Sequence, residues 1–145
     1  PVRRLESQIS ILHNEAMTSV LRFAAAPQDP LLLVADDAGT VSLWNYEANS
    51  RVQALATRAT ARVSALHVLN AADAAPLVCT GTADGVVRVW RGALAAGGAE
   101  LVSAWRALAD VPVPRTRGAG LLLEPLPHEA LLVAAGDAEL LRVWD

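Results

Sequence analysis

The sequence predicts an all-β chain assembled from repeated, four-stranded antiparallel units, and three observations carry that prediction. Tryptophan closes a short apolar run three times, at Trp44, Trp90 and Trp144. Two of those runs follow a glycine turn at one fixed distance, Gly39 standing five residues before Trp44 and Gly85 five before Trp90. Leu140-Leu-Arg-Val-Trp144 then repeats Val86-Val-Arg-Val-Trp90 almost residue for residue. A glycine between β-branched runs marks a hairpin, because it takes positive φ without a Cβ clash while a preceding aspartate such as Asp84 caps the turn backbone. Short turns between successive strands also argue against a parallel sheet, whose strands need long crossovers.

Taken in order, residues 1–16 form a lead-in, with a strand at Ser7–Leu12 in which Ile9 and Ile11 alternate with polar neighbours before the break at His13-Asn14-Glu15. Residues 17–61 make the first unit. Ser19–Ala24 is its innermost strand, a Pro27–Pro30 turn leads into Leu31–Ala35, Asp36-Asp37-Ala38-Gly39 turns into the Trp44 strand, and Arg51–Ala56 is the outer fourth strand. Residues 62–117 make the second unit. It contains the Val63–Leu69 strand, a turn through Asn70 to Pro76, the Leu77–Val78 strand, and the Asp84-Gly85 hairpin ending in Trp90. A Gly/Ala-rich loop from Gly92 to Ala99 precedes Glu100–Leu108, read as the fourth strand, with an amphipathic helix as the rival reading because its apolar residues also fit helical spacing. Asp110 to Arg117 is a proline-bearing loop. Residues 118–145 give a partial third unit, with strands at Gly118–Leu123, Ala130–Ala135 and the run into Trp144.

The spacing selects an architecture. Trp44 to Trp90 is 46 residues and Trp90 to Trp144 is 54, against roughly 40–45 for a four-stranded blade of the WD40 type closed by Trp-Asp. The excess fits the 92–99 and 110–117 loops, since lengthening a surface loop costs little. The chain therefore resembles an incomplete WD40-type β-propeller of about three blades, the third truncated. That resemblance implies a hydrogen-bonded set pinning each blade: an acidic residue in the turn, a Ser/Thr, the strand-closing tryptophan, and a histidine before the blade. Asp84, Gly85 and Trp90 match it in the second unit, Trp44 and Trp144 in the others. Ala38 aligns with Asp84 in the first unit and Glu139 stands where glycine would fall in the third, so Asp37 and Asp137, one position earlier, are the substitutes. His13, 31 residues before Trp44, is placed like the family's histidine, with Leu12 in place of its glycine. Uneven pinning follows, with Asp84→Ala expected to cost more stability than Asp36→Ala.

Composition narrows the function classes. The chain has 145 residues, 53% hydrophobic, enough for an ordinary core and without a disorder signature. A formal charge of −3 gives no whole-domain electrostatic case for nucleic acid. No apolar run reaches the length of a membrane helix, and the N-terminus lacks a signal-peptide layout, so no membrane insertion is expected. A single cysteine, Cys79, excludes an internal disulfide and fits a cytoplasmic setting as a buried small hydrophobe.

Catalytic chemistry finds little support. There is no Gly-x-Ser-x-Gly elbow, phosphate loop or Cys-x-x-Cys pair, and His13, His67 and His128 lack metal-ligand spacing. Catalytic, cofactor and metal sites are accordingly expected to be none. Gly118-Ala-Gly120 lacks the third glycine of a dinucleotide site and reads as a loop entering a packed inner strand. Asp36-Asp37 reads as a solvated turn rather than an acid/base pair, because adjacent side chains point apart. His67 shares a face with Val63, Ala65 and Leu69 and reads as packed or rim histidine. The inner strands as assigned, Ser19–Ala24, Val63–Leu69 and Gly118–Leu123, contain no Asp or Glu, which argues against a hydrolase working in the channel. Arg115, Thr116 and Arg117 form the candidate partner-facing loop, suited to an acidic or phosphorylated partner, with a solvated basic loop as the plain alternative.

Segments outside the generic repeat narrow the resemblance. Arg4-Leu-Glu-Ser-Gln-Ile9, Val63-x-Ala65 with Leu69-Asn70, Ala104-Trp105-x-x-Leu108-x-Asp110, Thr116-Arg-Gly-Ala-Gly120, and Gly136-Asp137 followed by Arg142-Val-Trp-Asp145 look like the start of the C-terminal propeller of the raptor family. The resemblance implies a non-catalytic scaffold of target-of-rapamycin complex 1 that couples nutrient signalling to presentation of substrates to the kinase. Its partners would be the other proteins of that complex. It implies a cytoplasmic location, with the lysosome surface as a further one. It also implies that the rest of the propeller closes the ring, so that three blades alone leave exposed edges prone to aggregation. Alternatives are a WD40 adaptor of an unrelated assembly, such as a ubiquitin ligase, or a propeller hydrolase.

Overall fold

The computed structural model describes residues 30–36, 38–55, 57, 61–107, 120–126, 131–136 and 141–145, together with the backbone of 20–25. These form eleven strands: β1 (Val20–Ala25), β2 (Leu31–Asp36), β3 (Val41–Asn45), β4 (Ser50–Leu55), β5 (Val63–Leu69), β6 (Leu77–Thr82), β7 (Val86–Arg91), β8 (Glu100–Arg106), β9 (Leu122–Leu126), β10 (Leu131–Ala135) and β11 (Arg142–Trp144). The Ser7–Leu12 strand and the Pro27–Pro30 and 110–117 turns fall wholly or largely outside the described residues.

The strands build three antiparallel sheets in chain order, β1-β2-β3-β4, β5-β6-β7-β8 and β9-β10-β11, the blade arrangement of a partial β-propeller. Residues 100–106 are strand, with Val87 opposite Trp105 and Val89 opposite Ser103. The helix reading fails because period-two pairing with β7 satisfies that backbone and seats Trp105 beside the neighbouring sheet.

β9 starts later than expected. Gly120 has φ +77, which ends any extended run there, so the strand begins at Leu122 and carries Glu124 and Pro125. Pro125 is tolerated because β9 is an edge strand of its sheet, where a missing N–H breaks no ladder bond.

Alternation sends each middle sheet residue into one of two seams. Between the first and second sheets, Leu33, Ala35, Val41, Leu43 and Leu55 meet Val63, Leu66, Val78, Trp90 and Ala93. Between the second and third, Ala65, Cys79, Val87, Val89 and Ala107 meet Leu121, Leu123, Leu132 and Ala134. Val78 and Cys79 are adjacent on β6 yet serve opposite seams, as the pleat requires.

Candidate interaction site

The turn at the end of β6 carries the densest polar network. Trp90 is buried and its Nε1 donates to Thr80 Oγ1 at 3.2 Å. Thr82 Oγ1 lies 2.5 Å from Asp84 Oδ1 and 3.0 Å from the Val86 carbonyl, and Arg88 donates to the same hydroxyl at 3.3 Å. Gly85, at φ +83, donates its N–H to the Thr82 carbonyl at 2.9 Å. Asp84 and Trp90 are thus held by two different threonines. Strand register puts Val34 and Ala134 where Thr80 stands, since each lies two residues beyond the partner of its sheet's tryptophan. Neither carries a hydroxyl, so at these matched positions the tryptophan–threonine bond is formed in the second sheet.

In the first sheet the turn is held by Asp36, only 4% exposed, whose Oδ1 accepts from the Thr40 N–H at 2.8 Å. Asp84 is half-buried. This geometry predicts the opposite of the expected ranking of Asp84 above Asp36, because the more buried carboxylate, bonded to backbone, should be the costlier to remove. Trp44 is buried on β3. Trp144 is half-buried and packs edge-on against Trp105, ring centroids 5.9 Å apart. His13, Asp137, Arg115, Thr116 and Arg117 lie outside the described residues.

Two clefts open along the second seam. One, of about 350 Å³, faces the innermost strands and is lined by Ser64, His67, Leu122 and Glu124 among others. Glu124 corrects the expectation that the inner wall carries no acid, since the delayed start of β9 brings it onto that wall. The set is not poised for catalysis: Ser64 Oγ donates to the Leu121 carbonyl at 2.6 Å, so its proton is committed to backbone rather than to a base. Cys79 is equally unsuited to nucleophilic work, fully buried with burial pushing its thiol up to about 12. Among the described residues no group of three His, Cys, Asp or Glu side chains is placed to hold a metal.

The other cleft, of about 390 Å³, lies at the end of the seam between the β5–β6 turn at Asn70–Ala71 and the strand ends at Leu126 and Leu131. Leu69, Leu77, Val89, Trp105 and Trp144 give it apolar walls, and Asp145 stands at its mouth. Trp105 Nε1 is buried there with no acceptor among the described residues. The buried indole nitrogen does not face the cleft, whose lining is mainly apolar. In the sequence, Trp105 stands out only through the family resemblance. The available signal was its period-two offset from Ser103 on a strand otherwise exposed.

No protein-family model matches the chain. It is 32% identical over 136 residues to the target of rapamycin complex 1 subunit KOG1 of Saccharomyces cerevisiae, covering 92% of this chain and 8% of that protein. It is 27% identical over 145 residues to a raptor homolog of Dictyostelium discoideum, covering 96% of this chain and 10% of the relative. The crystal structure of Chaetomium thermophilum Raptor superposes with a TM-score of 0.74 at 27% identity, over 88% of this chain and 11% of that one. A Cps50 (Swd1) β-propeller domain from Myceliophteria thermophila, 10% identical, gives a TM-score of 0.64 over 88% of this chain and 38% of its own, a likeness of fold. The chain spans about a tenth of the length of the curated relatives it matches. Along most of its sequence and in its fold, it is similar to raptor proteins.

Proposed function

We propose that the chain is part of the C-terminal propeller of a raptor-type subunit and works as a non-catalytic scaffold. In this reading its loop-bearing faces hold the other proteins of target-of-rapamycin complex 1, coupling nutrient signalling to presentation of substrates to the kinase. The observation that carries it is a likeness running through sequence and fold together, since Trp-ended repeats alone would support only a propeller. Residues 17–61, 62–117 and 118–145 are taken as successive blades after a lead-in at 1–16, and the rest of the ring comes from elsewhere in the protein. Exposed Leu122 and Val143 on the third sheet support that, because apolar residues at matched positions on the other sheets are covered by the next one. The Arg115-Thr116-Arg117 loop is kept as a partner-facing candidate, and the proposed location is the cytoplasm, including the lysosome surface.

A non-catalytic role fits the inner wall. A propeller hydrolase of the paired-carboxylate kind needs two acids facing one bond, whereas among the described residues the inner cleft is lined by one, Glu124. Affinity purification of the full-length protein tests the proposal. Recovery of target-of-rapamycin complex subunits is expected. A cullin-type assembly in their place would transfer the chain to the adaptor alternative, and turnover abolished by Glu124→Gln would transfer it to the hydrolases.

A further inference from the structure

Polar side chains on the outer strands differ in whether the fold uses their donors. On β4, Gln53 Nε2 donates to the carbonyls of Gly92, Ala93 and Ala95 at 3.0, 2.9 and 2.7 Å, fixing the loop that turns back into the first seam, where Ala93 is fully buried. Two arginines of the second sheet keep most of theirs. Arg88 on β7 is opposite Ala104, and Arg106 on β8 is opposite Val86, so the two side chains leave one face of the sheet as diagonal neighbours. Each is anchored by one donor: Arg88 Nη1 to Thr82 Oγ1 at 3.3 Å, and Arg106 Nη1 to the Asp84 carbonyl at 3.2 Å. A guanidinium holds further N–H groups in a fixed fork, and those remain for a ligand.

Neither charge is neutralised by an ion pair among the described residues, whereas Arg91, on the same strand as Arg88, has Glu100 at 3.8 Å. The Asp84 carboxylate is engaged by the Thr82 hydroxyl at 2.5 Å, and that hydroxyl is also the acceptor for Arg88. Arg88 shares its face with Trp90, which packs against the first sheet, and the third sheet packs on the opposite face. Both neighbouring sheets are therefore in place, so the half-burial of Arg88 and the exposure of Arg106 are properties of this blade inside the ring. The pair is also particular to it. Fully buried Ser42 stands at the match to Arg88 in the first sheet, and in the third Arg142 stands there, with no described strand beside it to carry a match to Arg106.

We propose that the Arg88–Arg106 pair is a docking point for a phosphorylated serine or threonine on a partner polypeptide. Charge and geometry select that occupant. A carboxylate is met by the fork of one arginine, while a phosphoryl group offers three acceptor oxygens and a charge of about −1.5 to −2, which matches two guanidinium groups side by side. Anchoring on Thr82 and Asp84 holds both forks before the ligand arrives, which lowers the ordering cost of binding. The inference rests on the reading of the chain as a protein-binding scaffold, and it deepens that reading by naming the chemistry one partner presents.

Binding of the full-length protein to two degenerate peptide pools tests it, one with phosphoserine fixed at the centre and one with serine there. The wild type should bind the phosphorylated pool at least about tenfold more tightly than the plain one. Arg88→Gln combined with Arg106→Gln should erase most of that preference, a loss of about tenfold, while Arg91→Gln, which removes an equal charge from the far end of β7, should leave it intact. Equal binding of the two pools by the wild type overturns the proposal. So does a preference that the double variant retains, or one that Arg91→Gln abolishes just as fully. Arginine-dependent binding of phosphatidylserine vesicles with no preference between the pools also overturns it, by assigning the pair to a membrane surface. If thermal melting shows the double variant unfolded, Arg106→Gln alone, at an exposed position, is the second variant, with the same expected and contrary results. Co-purification of kinase-complex subunits is scored separately on the wild type, so failure of the functional reading leaves the peptide result legible.

Discussion

The first and second seams use one repeat to make two different joints. In the first, both sides carry large residues, Leu33, Leu43 and Leu55 on β2, β3 and β4 facing Leu66 and Trp90 as well as the smaller Val63, Val78 and Ala93. In the second, the matched β6 positions carry Cys79 for Leu33 and Gly81 for Ala35, and the bulk comes from Leu121 and Leu123 on the other side. The inner half of the second seam is consequently tight. A Cβ on Gly81 would lie 3.0 Å from Leu123 Cδ1 and 3.2 Å from Ala65 Cβ, and one on Gly120 would lie 2.9 Å from Ser64 Cβ. Its outer half is open, where Trp105 and Trp144 meet over a cleft. Equivalent strands therefore do not imply equivalent energetics; what each seam contributes depends on which side carries the volume and on what closes the end.

The largest expected contrast is at matched buried positions. Leu33→Ala should destabilise the propeller by about 3 kcal/mol through lost transfer energy and a cavity, whereas Cys79→Ala at the matched place should cost about 1 kcal/mol; thermal unfolding of both variants measures the gap. Gly120→Ala attacks the tight half of the second seam. With φ +77 and Ser64 in the way, it should cost about 2–3 kcal/mol, and Ser64→Ala should relieve little of it because the backbone strain remains. Gln53→Ala removes the donor shared by three carbonyls at the first seam and should cost about 2 kcal/mol, while Ser103→Ala, matched to it across β8 and exposed, should change stability by less than about 0.5 kcal/mol. The smallest contrast is between turns: Asp36→Ala at about 1.5 kcal/mol against Asp84→Ala at about 0.5–1 kcal/mol, because Thr82 keeps its bond to the Val86 carbonyl when Asp84 is lost. Chemical denaturation of the two variants side by side decides that order.

Much of the fold was legible in the sequence because it is written at short range. Period-two alternation, glycine turns and repeated Trp-ended strands mark hairpins whose partners are neighbours in the chain. The start of β9 was not legible, because Gly118-Ala-Gly-Leu-Leu-Leu reads as one apolar run and only the positive φ of Gly120 divides it. That one displacement hid Glu124 from the inner wall. Gln53 and Trp105 were hidden for another reason: their roles depend on which sheet lies across the seam, a long-range relation that no local spacing encodes. The 92–99 loop reads as spare surface length, yet Ala93 is buried and its neighbours are held by a residue about forty positions earlier.

The measurement that bears most directly on this account is amide exchange in the intact protein, followed in parallel for residues 92–99 and for β9–β10. If the first seam is closed by its own loop and the second by the packing of its inner half, Gln53→Ala should speed exchange at residues 92–99 at least about tenfold and leave β9–β10 at wild-type protection. Unchanged exchange at residues 92–99, or an equal loss of protection at β9–β10, measured at one pH and temperature, would contradict it.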